Sequence, residues 1–201
     1  MYIIKMLVIL ILSYMIGSIS SSIIISKIMT GEDIRKHGSG NAGATNALRV
    51  LGKKGGILTL LGDVVKTVAA IFIAKLILNN DISVYVAGIG AVLGHNYPLW
   101  FGFKGGKGIA VSITAILFAD IIIGLIVLVF SLLIMILTKY VSLGSVLGAV
   151  LCIVLSLVFR WDNKCYILFT VIVGVLAVYR HKANIVRLLK GEENKLESKN
   201  K

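Results

Sequence analysis

The sequence predicts an all-α integral membrane protein with seven transmembrane helices, some of them short, an outside N-terminus and a cytoplasmic C-terminus. Three observations carry that prediction. The 201 residues are 58% hydrophobic with mean hydropathy +0.97, where a soluble domain is about 45–50% apolar. The apolar residues come in runs of roughly 20, the length that crosses a bilayer as helix. Lysine and arginine gather in alternate connecting segments.

The elements follow in order. Residues 5–26 form a first apolar run that reads as a retained span, because no small-residue cleavage site followed by a soluble domain is visible. A polar stretch, 27–54, contains GEDIRKHGSGNAGATNALRVLGKK. A second span covers about 55–78 and carries Asp63, Lys66 and Lys75 in it or near its ends. Asn79, Asn80 and Asp81 make a short turn, and a third span over 82–93 meets a second polar stretch, GHNYPLWFGFKGGKG, at 94–108. The apolar run 109–137 is about 44 Å long as helix, too long for one ordinary crossing and too short for two full ones. Asp120 lies inside it. A carboxylate is costly at the bilayer centre and cheap at a turn near the surface, so the run divides into one helix ending near Ala119 and another over 121–138. Spans over 141–159 and 165–179 follow, then a polar tail, RHKANIVRLLKGEENKLESKNK.

Charge tests this division. With seven spans, sixteen of the 21 lysines and arginines fall on one side and three on the other. That side is the cytoplasm by the positive-inside rule. With six spans the tail would cross over and the asymmetry would collapse. The topology therefore gathers three polar segments, about 30–54, 94–108 and 180–196, on the cytoplasmic face of one membrane-embedded domain, 1–201. It also gives the net charge of +12 a cause other than nucleic acid, and nothing resembles a zinc finger or an aromatic RNA-binding motif. Cys152 and Cys165 make neither a disulfide framework nor a metal site and read as packing thiols.

The first segment runs Gly38, Ser39, Gly40, Asn41, Ala42, Gly43, Ala44, Thr45, Asn46, Ala47, Leu48, Arg49. Glycines let backbone approach an anion, and turn amides form phosphate-binding nests. Ser39, Asn41, Thr45 and Asn46 add neutral donors, and Arg49 a bidentate one suited to phosphate. Gly38, Gly40 and Gly43 also spell G-x-G-x-x-G. Charged residues precede them and a membrane span follows, so the strand and βαβ unit of a dinucleotide site are missing. No G-K-[ST] occurs either.

In the second segment His95 and Asn96 precede a turn with Lys104, Gly105, Gly106, Lys107 and Gly108. Two lysines among glycines make a compact cationic cradle, and a helix opening after Gly108 would aim its first amides the same way. Tyr97, Trp100, Phe101 and Phe103 read as an interfacial aromatic belt. In the third segment His181 and Asn184 share one face of an interfacial helix at i and i+3. No His/Cys/carboxylate cluster suits a metal, so no metal and no cofactor is expected.

Together these pieces, with Gly17-Ser18-Ile19, Asp63 with Lys66, and 140–144, resemble the bacterial acyl-phosphate:glycerol-3-phosphate acyltransferases, the PlsY family, over essentially the whole chain. The resemblance departs at Ser20, where proline is common, and at Lys182, where arginine is. It implies seven transmembrane helices with a cytoplasmic site in the bacterial plasma membrane. It implies transfer of an acyl group from acyl phosphate to the 1-hydroxyl of glycerol 3-phosphate. Ser39, Arg49, His95, Lys107 and Asn184 are then the expected catalytic set. Gly38, Gly40, Asn41, Gly43, Thr45, Asn46, Asn96, Lys104, Gly105, Gly106, Gly108 and His181 are expected to bind substrate. Membrane lipid, and soluble acyl-donor enzymes docking transiently, are the expected partners. The H-x-x-x-x-D signature of acyl-CoA-dependent enzymes is absent after His37, His95 and His181. The proton acceptor stays open between His95 and a substrate phosphate, whose second pKa is near 6. A transporter of a phosphorylated anion is the rival class, but it would want internal repeats and a midplane site, and the sequence shows no repeat.

Overall fold

The computed structural model describes residues 1–196, which are helical with no strand among them. They fall into two compact units, Met1–Ala119 and the part that begins at Asp120.

The first unit holds α1 (Tyr2–Gly17), α2 (Ser21–Thr30), a 3-10 turn (Ile34–Lys36), α3 (Ala44–Ile77), α4 (Asp81–Asn96), a second 3-10 turn (Leu99–Phe101) and α5 (Ile109–Ala119). The expected single first span is present as one stretch, Tyr2–Thr30, in which the helix is interrupted once. Between α1 and α2, Ser18 to Ser20 leave the helical ladder, and Ser20 takes an extended conformation as N-cap of α2. The interruption occurs without a proline. A run of serines favours it, because their hydroxyls compete for backbone partners; Ser18 Oγ donates to the Tyr14 carbonyl at 2.8 Å. Breaking a helix frees carbonyls, which are expensive away from water. The Ile19 carbonyl is met by Lys66 Nζ at 2.7 Å.

Packing of α1 on α4 depends on absent side chains. Gly90 and Gly94, four apart on α4, face the backbone of α1. A Cβ at Gly90 would lie 2.8 Å from the Leu10 carbonyl oxygen, and one at Gly94 2.2 Å from that of Tyr14. From the other side, a Cβ on Gly17 would lie 2.4 Å from the Ala91 oxygen. This is the small-residue contact by which membrane helices associate through close backbone approach. Farther along the chain, α3 begins eleven residues before the expected second span and kinks at Gly52, whose φ of 73° and ψ of −170° are not helical. The donor-rich end of the first loop is thus the first limb of α3.

The second unit matches the expected division closely. It contains α6 (Ile121–Thr138), α7 (Val141–Phe159), α8 (Lys164–Arg180) and α9 (Lys182–Leu189). Asp120 caps α6 by accepting the amides of Ile122 and Ile123, both at 3.1 Å. Arg160 Nε donates to its other oxygen at 2.6 Å. A carboxylate in an apolar run has therefore become a paired helix cap, the arrangement that lets a charge sit at a helix end. Glycines again set the packing: a Cβ on Gly144 would meet the Ser131 carbonyl at 2.6 Å, and one on Gly174 the Ile153 side chain at 2.7 Å. Cys152 is buried in this unit as expected, but Cys165, in the first turn of α8, is exposed and does not pack.

By length and composition four helical stretches could cross a membrane: α1 with α2, α3, α6 and α7. A fifth is α8 with α9, taken as one bent span with a 58° angle. α4 and α5, with 16 and 11 residues, are shorter than a full crossing.

Candidate active site

In the first unit the two polar loops are fastened to each other. Asn46, in the first turn of α3 and 1% exposed, is the clasp of the first loop. Its Oδ1 accepts the Ser39 amide at 2.8 Å, and its Nδ2 donates to the carbonyls of His37 (3.0 Å) and Ile34 (3.3 Å). Gly38 must be glycine here: its φ is +60°, and a Cβ would come 2.3 Å from Asn46 Oδ1. Asp33 caps the adjoining 3-10 turn and grips Arg35 through both carboxylate oxygens. That hydrogen bonding holds the Asp33 carboxyl below the usual range, although partial burial opposes it. The remaining arm of Arg35 reaches the second loop, where Nη1 donates to the carbonyls of Phe101 (2.6 Å) and Lys104 (3.1 Å).

The second loop folds back onto the end of α4. The amides of Gly105 and Gly106 donate to the carbonyls of Asn96 (3.2 Å) and His95 (3.1 Å). A Cβ on Gly105 would lie 2.0 Å from the His95 carbonyl oxygen. One on Gly106 would lie 2.1 Å from His95 Nε2 and 2.7 Å from the Ala42 oxygen. The glycine pair is therefore a contact surface for the histidine ring and for the first loop, and any larger residue would push them apart.

Under these loops lies a buried charged cluster. Asp63 Oδ1 accepts from Ser21 Oγ at 3.0 Å and pairs with Lys66 Nζ at 2.9 Å. Lys66 Nζ stands 3.0 Å from His95 Nδ1, and Asp63 Oδ1 stands 3.4 Å from the same nitrogen. All three residues are less than 8% exposed. Asp63 and Lys66 lie one turn apart on α3, His95 ends α4 and Ser21 begins α2, so the cluster joins three helices.

The expected site residues divide accordingly. Ser39, Gly38, Gly40, Arg49 and Lys104 are exposed, while Asn41, Thr45 and Lys107 are half-buried. Others have different tasks. Asn46 uses its oxygen and both amide hydrogens on the loop, so it shapes the site and is not a donor to substrate. Asn96 is fully buried, with Oδ1 lying 2.8 Å from where a Gly108 Cβ would stand; it packs behind the loop. The glycine-rich segments were expected to offer amide nests. Instead the amides of Ser39, Gly40, Gly43, Gly105 and Gly106 already donate to Asn46, His37, Asn41, Asn96 and His95. Short loops without regular structure must satisfy their own backbone groups first. Phe101 also leaves the expected aromatic belt and packs partly buried against Ile23, Ile34 and Ala42; Trp100 and Phe103 stay exposed.

The second unit holds the tail residues. His181 ends α8 and opens α9, is 3% exposed, and its Nδ1 lies 2.8 Å from the Ala177 carbonyl. A carbonyl only accepts, so Nδ1 carries the proton there. Asn184 Nδ2 donates to Glu193 Oε1 at 2.6 Å; Ser142 Oγ donates to the same oxygen at 2.9 Å, and Arg187 Nε to Oε2 at 2.8 Å. Burial would raise the Glu193 carboxyl, but these three donors outweigh it and hold it below its ordinary value. Glu193 was passed over in the sequence because an acidic residue in a basic tail reads as a solvated counter-charge. The i, i+9 spacing from Asn184 across Gly191 was the available sign of a turn folding back.

Helices of membrane length, cationic loops rich in neutral donors, and a charged cluster sunk among them mark an integral membrane protein. Residues 7–191 match the family model described as glycerol-3-phosphate acyltransferase. A glycerol-3-phosphate acyltransferase of Thermoanaerobacter sp. (strain X514) is 43% identical, with 94% of each chain covered. One of Clostridioides difficile (strain 630) is 42% identical, with 99% of each covered. A crystal structure of PlsY (YgiH), an integral membrane glycerol 3-phosphate acyltransferase, in its glycerol 3-phosphate form, superposes with TM-score 0.88 at 35% identity over 96% of both chains. The chain belongs to the glycerol-3-phosphate acyltransferase family.

Proposed function

We propose that this chain transfers a fatty acyl group from acyl phosphate to the 1-hydroxyl of sn-glycerol 3-phosphate. The products are 1-acyl-glycerol 3-phosphate and inorganic phosphate, and the reaction is the first acylation step of bacterial phospholipid synthesis. The hydroxyl oxygen attacks the acyl carbonyl, the bond from carbonyl carbon to phosphate oxygen breaks, and phosphate leaves. The observation that carries this reading is the joining of the two cationic loops, through Arg35 and through the contact of Gly106 with Ala42 and His95.

Two phosphates need several positive charges. Arg49, Lys104 and Lys107 supply them, Ser39, Asn41 and Thr45 supply neutral donors, and Asn184 and His181 act in the same reaction. Holding hydroxyl and anhydride in line accounts for much of the acceleration. Donors aimed at the developing oxyanion or at the leaving phosphate add to it. Metal is not called for, because the protein's own cations can neutralise the phosphates.

The same reading carries seven crossings with short α4 and α5, a cytoplasmic C-terminus and the bacterial plasma membrane as location. Soluble acyl-donor enzymes dock transiently on that face. The apolar exterior of α6, with Ile122, Val129, Leu133 and Ile136 exposed, suits contact with acyl chains of lipid.

The test is an assay in detergent with purified protein, acyl phosphate and glycerol 3-phosphate. One phosphate should be released for each 1-acyl-glycerol 3-phosphate formed, and no vesicle should be needed. Equal transfer from an acyl thioester, without acyl phosphate, would overturn the donor assignment. Activity only in sealed vesicles, as solute movement, would overturn the reaction class.

A further inference from the structure

The Arg35 side chain links the first loop to the second, and most of its donors are committed. A guanidinium has five N–H donors in a fixed fork and no acceptor. Nε donates to both Asp33 oxygens, at 3.0 and 3.1 Å, and Nη2 donates to Oδ2 at 2.7 Å. Nη1 donates to the carbonyls of Phe101 at 2.6 Å and Lys104 at 3.1 Å. These bonds use four of the five hydrogens. An arginine that recognises phosphate presents two parallel N–H bonds. Arg35 keeps no such pair, and its charge is matched by Asp33 at 2.7 Å. It is unsuited to hold a phosphate, whereas Arg49 is exposed.

The two carbonyls gripped by Nη1 bracket Gly102 and Phe103. Both of these take positive φ, +67° and +58°. Glycine does so freely and phenylalanine rarely, so the turn needs holding from outside. The Phe103 amide donates to the Pro98 carbonyl at 3.0 Å on one side, and Arg35 closes the other. Just beyond, the peptide unit joining Lys104 to Gly105 is fixed at both polar ends. Its carbonyl receives Arg35 Nη1, and its N–H donates to the Asn96 carbonyl at 3.2 Å. One end is thus tied to the first loop and the other to α4. The turn that carries Arg35 is held in its own right by Asn46, which donates to the carbonyls of Ile34 and His37 and accepts the Ser39 amide. A line of bonds therefore runs from Ser39 through Asn46 and Arg35 to Lys104.

An ammonium on a four-carbon stem is a point charge without directional geometry of its own. Its place is set by the backbone that carries it. We propose that Arg35 is a positioning residue that acts through Lys104, setting the distance from that ammonium to the Ser39–Arg49 loop, and that it touches neither phosphate itself. Asp33 orients the fork. The use of Lys104 on a reactant phosphate rests on the acyl-transfer reading; the hold on the Lys104–Gly105 peptide rests on geometry alone.

The hold can be read without the reaction. Trypsin cleaves after Lys104 only when that peptide leaves its two bonds. Arg35→Met keeps the stem and removes the donors. In the purified full chain in detergent it should speed cleavage after Lys104 by at least about tenfold, with cleavage after Lys190 in the second unit unchanged. Thermal unfolding is measured first; if Arg35→Met does not fold, Asp33→Asn loosens the same fork with the guanidinium retained and takes its place. Equal cleavage after Lys104 with and without the substitution would overturn the proposal, whether or not acyl transfer is seen.

A double-substitution cycle in the acyl-transfer assay gives the second readout. Arg35→Met should lower kcat/KM by about 10²-fold through misplacement. In a Lys104→Ala background the same change should cost less than about threefold, since the group it positions is gone. Arg35→Lys keeps a cation with three donors, for Asp33 and the two carbonyls, and should recover kcat/KM to within about tenfold of the original. Equal losses in both backgrounds, or a lysine variant no better than the methionine one, would make Arg35 a support of the fold at large and overturn the proposal.

Discussion

The two units place their polar groups differently. In Met1–Ala119 a carboxylate, an ammonium and an imidazole lie inside the packing of α2, α3 and α4, under loops that glycines hold close. In the second unit the charged contacts sit at helix ends: Asp120 with Arg160 at one, and Glu193 with Asn184, Arg187 and Ser142 at another. Each unit also buries one histidine, with opposite surroundings. His95 Nδ1 stands 3.0 Å from Lys66 Nζ, whereas His181 Nδ1 lies 2.8 Å from a carbonyl oxygen. Internal charge pairs make stability and ring state depend on every partner at once. End-of-helix pairs act locally.

That contrast can be broken most severely at Asp63. Asp63→Ala leaves the Lys66 ammonium buried without its carboxylate and should destabilise the first unit by about 3–5 kcal/mol, read as thermal unfolding in detergent. Asp63→Asn, which keeps an acceptor for Ser21, should lose less. Next is Gly106→Ala, whose Cβ would meet His95 Nε2 at 2.1 Å. Activity should fall about 10²-fold through misplacement. Gly102→Ala, with φ +67° and nothing within 4 Å of its Cβ, should cost only about 1 kcal/mol of backbone strain and keep turnover.

Smaller effects belong to the second unit. Glu193→Ala removes three hydrogen bonds to a charged acceptor and should cost about 1–3 kcal/mol, read as thermal unfolding in detergent. The sign of the pH response follows from the depressed Glu193 carboxyl. Its stabilising contribution is complete above the ordinary carboxylate range and is lost as pH falls through the lowered folded value. Melting temperature against pH should therefore drop on the acid side, and Glu193→Gln should flatten that drop. The mildest test is thiol labelling. Exposed Cys165 should react with a maleimide in detergent, and buried Cys152 only after unfolding.

Much of the second unit was legible beforehand. Val141–Phe159 was read to the residue, and Asp120 marked the boundary between α5 and α6 because an isolated carboxylate has few tolerable places in an apolar run. The break at Ser18 to Ser20 was not read, since serines and isoleucines in alternation keep the hydropathy high while the helix ends. Asp63 and Lys66 were noticed as a pair, but their use was not. Opposite charges three residues apart inside a span were the available signal; what they serve depends on His95, 29 residues beyond Lys66. Asn46 misled for a related reason: a donor in a loop can face the ligand or the loop itself, and composition is the same in both cases.

The seam of small residues between α1 and α4 sets an order of events during synthesis. Gly17 cannot find Ala91, nor Tyr14 the glycines opposite it, until roughly 75 further residues have been made. At about 5–20 residues per second that is a delay on the order of 4–15 s. For that interval the N-terminal segment is an orphan in the membrane, and Lys66 arrives before the imidazole it will face. A nascent chain stalled before Gly94 has left the ribosome would therefore hold α1 without its partner, and only a chain long enough to free all of α4 could close the seam.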